Sequence, residues 1–420
     1  MSIFHNLSET IQDMCYIWRY EMKQVLRDEG VLIFFVIVPL VYPLLYSWIY
    51  NNEVVRNVPV VVIDDDHSSL SRQFIRECDA SPDVSITYHA SDMDEAQMLM
   101  SRQIVRAVYW IPSDFSERLL RMEQAHVSVY CDMSLMLTYK AAYQTAVGVS
   151  QHMNGELQIK LTGNYTERED QILVRPLDYA DVPVFNPSGG YGSFILPGVL
   201  VLILQQTLVL GIGLAAGTAR ERSRFGDLIP MERPYRGVLR IVFGKALCYF
   251  MIYCVAGAWL TIVVPRLFSF PTLVQWQHLL TFMFPYILAC VFFGMVISCM
   301  VRYRENVMLL VIFISIPLLF MTGLSWPQSN IPGAWQAVAW LFPSTPGVRG
   351  FVRMNSMGAT IDDVVTEYNV LWVQAIVYWT LACLVYRHQL HLSRQHVRER
   401  LEVMKRKLVV RRHLHKRKKA

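Results

Sequence analysis

The chain has 420 residues, a mean hydropathy of +0.29 and a net charge of +5, with 53% hydrophobic and 17% charged residues. This composition excludes an ordinary soluble domain, in which about 25% of residues are charged. A membrane span needs roughly 20 consecutive apolar residues, and six segments meet or approach that length. The sequence therefore predicts an α-helical polytopic membrane protein. The six predicted spans are 31–50, 194–217, 246–264, 279–301, 307–326 and 370–386.

Residues 1–30 predict an amphipathic helix that lies in the cytoplasmic interface of the membrane. Apolar residues recur at helical spacing from Leu7 to Leu26, and charged residues take the other side. The first predicted span, 31–50, follows directly, which favours an interfacial helix over a soluble one. Charged residues before this span, and no small-residue cleavage pattern after it, predict an uncleaved span instead of a signal peptide.

Residues 51–190 predict an α/β domain. Strand patterns at 58–63, 84–88, 105–111 and 127–131 alternate with helix patterns at 69–77, 92–103 and 112–122. A longer helix is predicted over 135–161, before an irregular return to the membrane. The run Asp64-Asp65-Asp66 resembles a cation-binding cluster, but a strand end followed by a helix cap explains it better.

The chain has eight cysteines, none of them in a Cys-x-x-Cys pair. Five lie in or at the ends of the predicted spans, where they act as small apolar side chains. Cys78 and Cys131 share the α/β segment and could pair if that segment is extracytoplasmic. The sequence leaves open whether they do.

The charge distribution predicts the topology. The loop 218–245 is basic, 265–278 is nearly neutral, 302–304 is basic, and the tail 387–420 is strongly basic. With six spans, this alternation predicts cytoplasmic termini and an extracytoplasmic α/β domain. The tail could in principle bind nucleic acid, but beside a membrane such a run more often meets anionic lipid headgroups. We therefore expect membrane lipids, and no nucleic acid, as its partners.

Several kinds of chemistry are missing from the sequence. The six apolar runs contain no interior charged residue or histidine, which argues against an ion-coupled carrier and an intramembrane acid–base enzyme. The segment Gly237 to Ala246 differs from a nucleotide-binding P-loop in its glycine spacing and lacks the Ser or Thr that would hold magnesium. We therefore expect no enzyme activity, no cofactor and no metal in this chain, and ATP-driven transport would need a partner ATPase.

Two further segments are candidates for function. Gln205, Gln206 and Thr207 lie midway along the second span, where they would line a translocation path or bond a neighbouring helix. Glycines at 213 and 217 permit close helix packing. The segment 327–347 contains a short apolar helix bracketed by prolines, which is typical of a re-entrant or interfacial element on the outer face.

The order of these features resembles ABC transporter permeases of the type-2 exporter class. The resemblance covers nearly the whole chain, although no single motif is decisive. Where the family continues its second span with a Gly, an acidic residue and Thr-Pro, this chain has Gly226-Asp227 but Ile229-Pro230. The other segments that carry the resemblance are Lys23 to Asp28, Val60 to Asp66, Phe185-Asn186-Pro187, Ala219 to Arg222, Gly244-Lys245, Gly323 to Pro327, Ile331-Pro332 and Phe342-Pro343.

The resemblance implies a permease subunit of an ATP-driven exporter in the bacterial inner membrane. Two permeases would pair, as identical copies or as paralogues, and each would contact a cytoplasmic ABC ATPase that binds ATP and magnesium. Its substrate would be amphipathic or hydrophobic, and a periplasmic adaptor remains an open question. The residues expected to contact the ATPase are Lys23, Arg27, Arg220, Glu221, Arg222, Gly226, Asp227 and Leu228.

A second hypothesis is a membrane-anchored sensor or scaffold whose outer α/β domain binds a ligand or partner protein. Six spans and a short outer helix exceed what an anchor needs, which favours the transporter.

Overall fold

The computed structural model describes residues 2–162, 166–174, 182, 184–186, 189–222, 237–301 and 303–417. The chain divides into two compact units, Asn52–Pro183 and a second unit formed by Met1–Asn51 with Val184–Ala420. The second unit contains the apolar helices, and the first contains the sheet. We call them the α/β unit and the helical unit.

The helical unit begins with α1, Ser2–Arg27, the predicted amphipathic helix. Asp28 caps the next helix, α2 (Glu29–Leu32), because its carboxylate accepts a hydrogen bond from the Val31 N–H. A π-helical turn, Ile33–Ile37, and α3, Val38–Ile49, complete the first apolar helix. The chain therefore turns from α1 into the first predicted span at a capped break.

Six helical stretches within the described residues are long and apolar enough to cross a membrane, and they coincide with the predicted spans. The later elements of the helical unit are α9 (Tyr191–Arg222), α10 (Val238–Ala258), a π-helical turn (Trp259–Val263), α11 (Val264–Leu267), α12 (Trp276–Met300), α13 (Arg304–Met321), a 3₁₀ turn (Gln328–Asn330), α14 (Gly333–Ala339), α15 (Ser344–Met357) and α16 (Val365–Arg417).

Helix α9 is the most deeply buried of the six, and it packs against α12, α13 and α15. A Cβ atom at Gly213 would overlap Val307 Cγ1, and one at Gly217 would lie 3.1 Å from Arg304 Cα. Because these two glycines carry no side chain, α13 can approach the α9 backbone. This confirms the close packing predicted for Gly213 and Gly217.

The segment after the fifth apolar helix differs from the prediction in one respect. The short apolar helix is present as α14. The prolines after it were expected to end the helical structure, but a second helix, α15, begins at Ser344. Pro346 lies in the first turn of α15, where a missing N–H costs no hydrogen bond. Helix α15 is largely buried, with Val348, Phe351 and Met354 in the core.

The α/β unit contains the predicted alternation of strands and helices. Its sheet has the order β2-β1-β3-β4, with β1 parallel to β2 and β3, and β4 antiparallel to β3. A helix at Glu167–Val174, α8, was not predicted. The elements are β1 (Val58–Asp64), α4 (Ser69–Asp79), β2 (Val84–His89), α5 (Met93–Ser101), β3 (Ala107–Ile111), α6 (Phe115–Leu120), β4 (Ser128–Cys131), α7 (Met136–Thr162) and α8.

The three aspartates after β1 organise the strand end, as the capping interpretation expects. Asp64 accepts hydrogen bonds from the backbone of Asp66 and His67 and from the Ser71 hydroxyl. Asp66 accepts two more from Ser116. Within the described residues, no group of three or more His, Cys, Asp or Glu side chains could hold a metal ion.

Candidate functional site

Helix α1 presents three different faces. Ile17, Glu21 and Val25, spaced by one helical turn, are buried against the other helices. Next to this buried face lie apolar side chains that remain exposed, such as Ile11 and Leu26. The remaining face carries three exposed cations, Arg19, Lys23 and Arg27, which we call the cationic face of α1.

The buried face of α1 contains an ion pair with α10. Lys245 Nζ lies 2.9 Å from Glu21 Oε2, and the Tyr249 hydroxyl donates a hydrogen bond to the same carboxylate. Glu21 and Lys245 are only 3% and 7% exposed. A buried charge that loses its partner is strongly destabilising, so this pair holds α1 on α10 in one register.

Gly244 brings the two helices close enough for this pair to form. A Cβ atom at Gly244 would lie 2.9 Å from Ile17 Cβ and 3.1 Å from the Met14 carbonyl oxygen. The second of these atoms belongs to the backbone, so a side chain here would push α1 away from α10. Gly244 thus allows α1 to approach α10 closely, and Lys245 can then form its ion pair with Glu21.

Two further ion pairs lie on either side of Glu21. Arg240 Nη1 is 2.6 Å from Asp13 Oδ2, which joins the beginning of α10 to α1. Arg304 Nη2 is 3.0 Å from Asp28 Oδ1, which joins α13 to the break between α1 and the first apolar helix. Within the part of the chain that the structure describes, three ion pairs therefore bind the N-terminal segment to α10 and α13.

At the same end of the helical unit, Arg220 joins the end of α9 to the end of α12. Its guanidinium donates hydrogen bonds to the backbone carbonyls of Cys299, at 2.9 Å, and Val301. These carbonyls lie at the C-terminal end of α12, where helix carbonyls lack partners and carry partial negative charge. We call the end that holds Arg220, Arg240 and Arg304 the basic end of the helical unit.

These positions correct one expectation. Arg240 and Lys245 lie inside α10, which begins at Val238, and not in a loop over 218–245. Lys245 and Arg220 are buried just outside the predicted apolar runs 246–264 and 194–217, so the absence of interior charge from those runs still holds. Both side chains are partnered, as buried charges must be.

The residues predicted to contact the ATPase fall into three groups. Lys23, Arg27 and Glu221 are exposed. Arg220 is 8% exposed and bound to α12, so its guanidinium supports the basic end from within. The last group is Arg222, whose side chain is outside the described part of the structure, and Gly226, Asp227 and Leu228, which lie outside the described residues.

The three polar residues in the middle of the second apolar helix, α9, differ in their hydrogen-bond partners. Gln205 is buried, and its side-chain oxygen lies 3.8 Å from the Cys290 thiol of α12. Thr207 donates to the Ile203 carbonyl of its own helix at 2.8 Å. The Gln206 amide nitrogen is buried and has no hydrogen-bond partner among the described residues. Gln205 thus makes the interhelical contact that was one of the two alternatives.

Glu21, Asp13 and Asp28 were not identified from the sequence as site residues. A signal for Glu21 was present, because it lies one helical turn from both Ile17 and Val25 and so falls within the buried stripe of α1. A carboxylate at such a position requires a buried cation. The sequence does not say which cation, since Lys245 is 224 positions away.

Comparison with known proteins agrees with this architecture. Residues 30–384 match the model of a family described as "ABC-2 family transporter protein". The chain is also 19% identical over 372 residues to a protein of Escherichia coli strain K12 described as "Probable multidrug ABC transporter permease YbhR". That alignment covers 88% of this chain and 95% of the relative, and the same protein of Escherichia coli O157:H7 matches equally. The chain is a transmembrane protein that belongs to the ABC-2 family of transporter permeases.

Proposed function

We propose that this chain is the permease subunit of an ABC exporter that moves an amphipathic or hydrophobic substrate out of the cytoplasm or the inner leaflet. ABC-2 permeases work with a cytoplasmic ATPase, usually as dimers. The relative YbhR is described as a multidrug permease, which supports a substrate of this class. ATP and magnesium would bind to the partner ATPase.

The orientation that we propose places the basic end of the helical unit in the cytoplasm of a bacterium, at its inner membrane. Cytoplasmic loops carry an excess of Lys and Arg. Arg220, Arg240 and Arg304 lie at one end of the helices, together with the cationic face of α1. This orientation makes both termini cytoplasmic and the α/β unit extracytoplasmic.

The ATPase would contact the cationic face of α1 together with Glu221 and the segment that follows α9. The observation that carries this proposal is the arrangement of α1, which exposes Lys23 and Arg27 and is held to α10 through Glu21 and Lys245. A force on the exposed face therefore reaches α10 through a buried ion pair, and α13 through Asp28 and Arg304.

In this mechanism ATP binding and hydrolysis in the partner move α1, and the three ion pairs transmit the movement to α10 and α13. Arg220 would keep the end of α9 attached to α12 during the movement. The translocation path would run at the interface with a second permease, either an identical copy or a paralogue. A periplasmic adaptor, where one exists, would dock on the α/β unit.

Transport by reconstituted vesicles tests this function. Vesicles with the basic end outward are given the permease, its ATPase and a lipophilic fluorescent cation. The account predicts accumulation of the dye inside the vesicles when ATP and magnesium are added outside. No ATP-dependent accumulation, together with an α/β unit that binds a ligand without the helices, would favour the sensor hypothesis.

A further inference from the structure

A groove opens on the side of the helical unit between α10, α12 and α16. Its volume is about 460 Å³, which falls in the range of about 300–1,000 Å³ that small-molecule sites occupy. All twelve lining residues are apolar or aromatic, and one of them, Met14, belongs to α1. The wall and rim of the groove are formed by Phe243, Leu247, Phe250, Phe284, Ile376 and Trp379.

The groove has an ordered aromatic wall. Phe284 packs edge-on against Phe250, with ring centroids 5.2 Å apart, and Phe243 lies 5.8 Å from Trp379. Leu247 and Ile376 on its rim are 43% and 58% exposed. Since these helices lie in the membrane, the rim faces lipid hydrocarbon, and a lipid chain can enter the groove without crossing water.

An exposed cation lies beyond one end of the groove. Arg240 is on the same face of α10 as Phe243 and Leu247, one turn nearer the basic end, but its guanidinium already pairs with Asp13 of α1. On α16, Arg387 follows Trp379 toward the same end and is exposed. Basic pockets between membrane helices on the cytoplasmic side bind anionic lipid headgroups.

We propose that this groove holds an acyl chain of an anionic phospholipid from the leaflet at the basic end, with the headgroup at Arg387. The aromatic wall would contact the chain, and Arg387 would contact the phosphate. Because Met14 of α1 lines the groove, the bound lipid would also touch the helix that we propose as the ATPase contact. The lipid would be a resident partner, separate from the transported substrate.

Native mass spectrometry of the detergent-purified chain tests the proposal with phosphatidylglycerol and phosphatidylcholine as probes. We expect one phosphatidylglycerol to be retained in preference to phosphatidylcholine. Leu247→Trp and Ile376→Trp fill the groove from exposed lining positions and should abolish this retention. Arg387→Ala removes the exposed cation and should weaken phosphatidylglycerol binding about fivefold, as expected for a contact of about 1 kcal/mol.

Val255→Trp is the matched control, because Val255 is 73% exposed on α10 but lies outside the groove. It should retain phosphatidylglycerol as the wild type does. Equal retention of phosphatidylglycerol by the groove variants and by the control would overturn the proposal, as would equal binding of both lipids by the wild type. Displacement of the lipid by a transported compound would also overturn it, since the groove would then be a substrate site.

Discussion

Glu21 and Lys245 form a buried ion pair, 2.9 Å between Oε2 and Nζ, across 224 positions of the chain. Glu21 belongs to the interfacial helix and Lys245 to the third apolar helix. Neither helix can move along the other without separating two charges in a site of low polarity. The pair therefore makes α1 and α10 move as one body, which is the physical basis of the proposed transmission.

Removal of either partner of this pair should destabilise the helical unit. Glu21→Leu and Lys245→Met each leave a buried charge without its partner, which typically costs about 3–5 kcal/mol. Replacement of both, as Glu21→Leu with Lys245→Met, should cost much less, since no charge is then buried. Thermal unfolding in detergent measures these differences, and additive losses in the double variant would show that the two side chains do not interact.

Substitution of Gly244 should separate α1 from α10 without changing any charge. In Gly244→Ala the new Cβ meets the Ile17 side chain and the Met14 backbone, so we expect a loss of about 1–3 kcal/mol. Gly148→Ala is the control, because nothing lies within 4 Å of its added Cβ and helix propensity favours Ala by about 1 kcal/mol. The unfolding temperature should fall in Gly244→Ala and rise in Gly148→Ala. A rise in both variants would contradict the close approach of α1 to α10 at Gly244.

Arg220 should behave as a structural residue and not as an exposed contact. Lys cannot reproduce its two hydrogen bonds to the Cys299 and Val301 carbonyls, so Arg220→Lys should cost about 1.5–3 kcal/mol. Glu221→Gln, next to it but exposed, should leave the unfolding temperature unchanged. An Arg220→Lys protein as stable as the wild type would show that the α12 end does not depend on this side chain.

The cysteines of the α/β unit offer a test by chemical labelling. Both Cys78 and Cys131 are free thiols, and burial raises the pKa of Cys78 to about 12. At pH 8 its thiolate is then about a thousandfold scarcer than that of an ordinary cysteine, and only the thiolate reacts with iodoacetamide. The folded protein should therefore label at Cys78 much more slowly than at an introduced Ser134→Cys, which is exposed. Equal rates would contradict the burial.

The sequence predicted most of the elements because their patterns are local. Long apolar runs identify the six helices, and the alternation from Val58 onward identifies the α/β unit. Helix α15 was missed because Pro343 and Pro346 were interpreted as an end, although prolines are also tolerated where a helix begins. Glycine positions 213 and 217 were interpreted correctly because small residues in an apolar helix have few other uses.

The contacts of the site were much less predictable. The Lys245 side chain looked like part of a basic loop, since a cation at the beginning of an apolar run is usually solvated. Its burial depends on Glu21, a partner in another part of the chain. Arg220 likewise became a buried group only because α12 ends beside it. Charge pairing between distant segments follows from the packing of the helices, and no local pattern encodes it.

The central claim, that the ATPase contacts the cationic face of α1, is tested most directly by a double charge reversal. Lys23→Glu with Arg27→Glu should abolish copurification of the ATPase and the ATP hydrolysis of the complex, while the unfolding temperature stays unchanged because both side chains are exposed. Arg72→Glu with Arg76→Glu is the control, as this exposed pair has the same spacing on α4. We expect the control variant to form the complex and hydrolyse ATP normally, and the α1 variant to do neither. Full ATPase copurification and hydrolysis with Lys23→Glu and Arg27→Glu would contradict it.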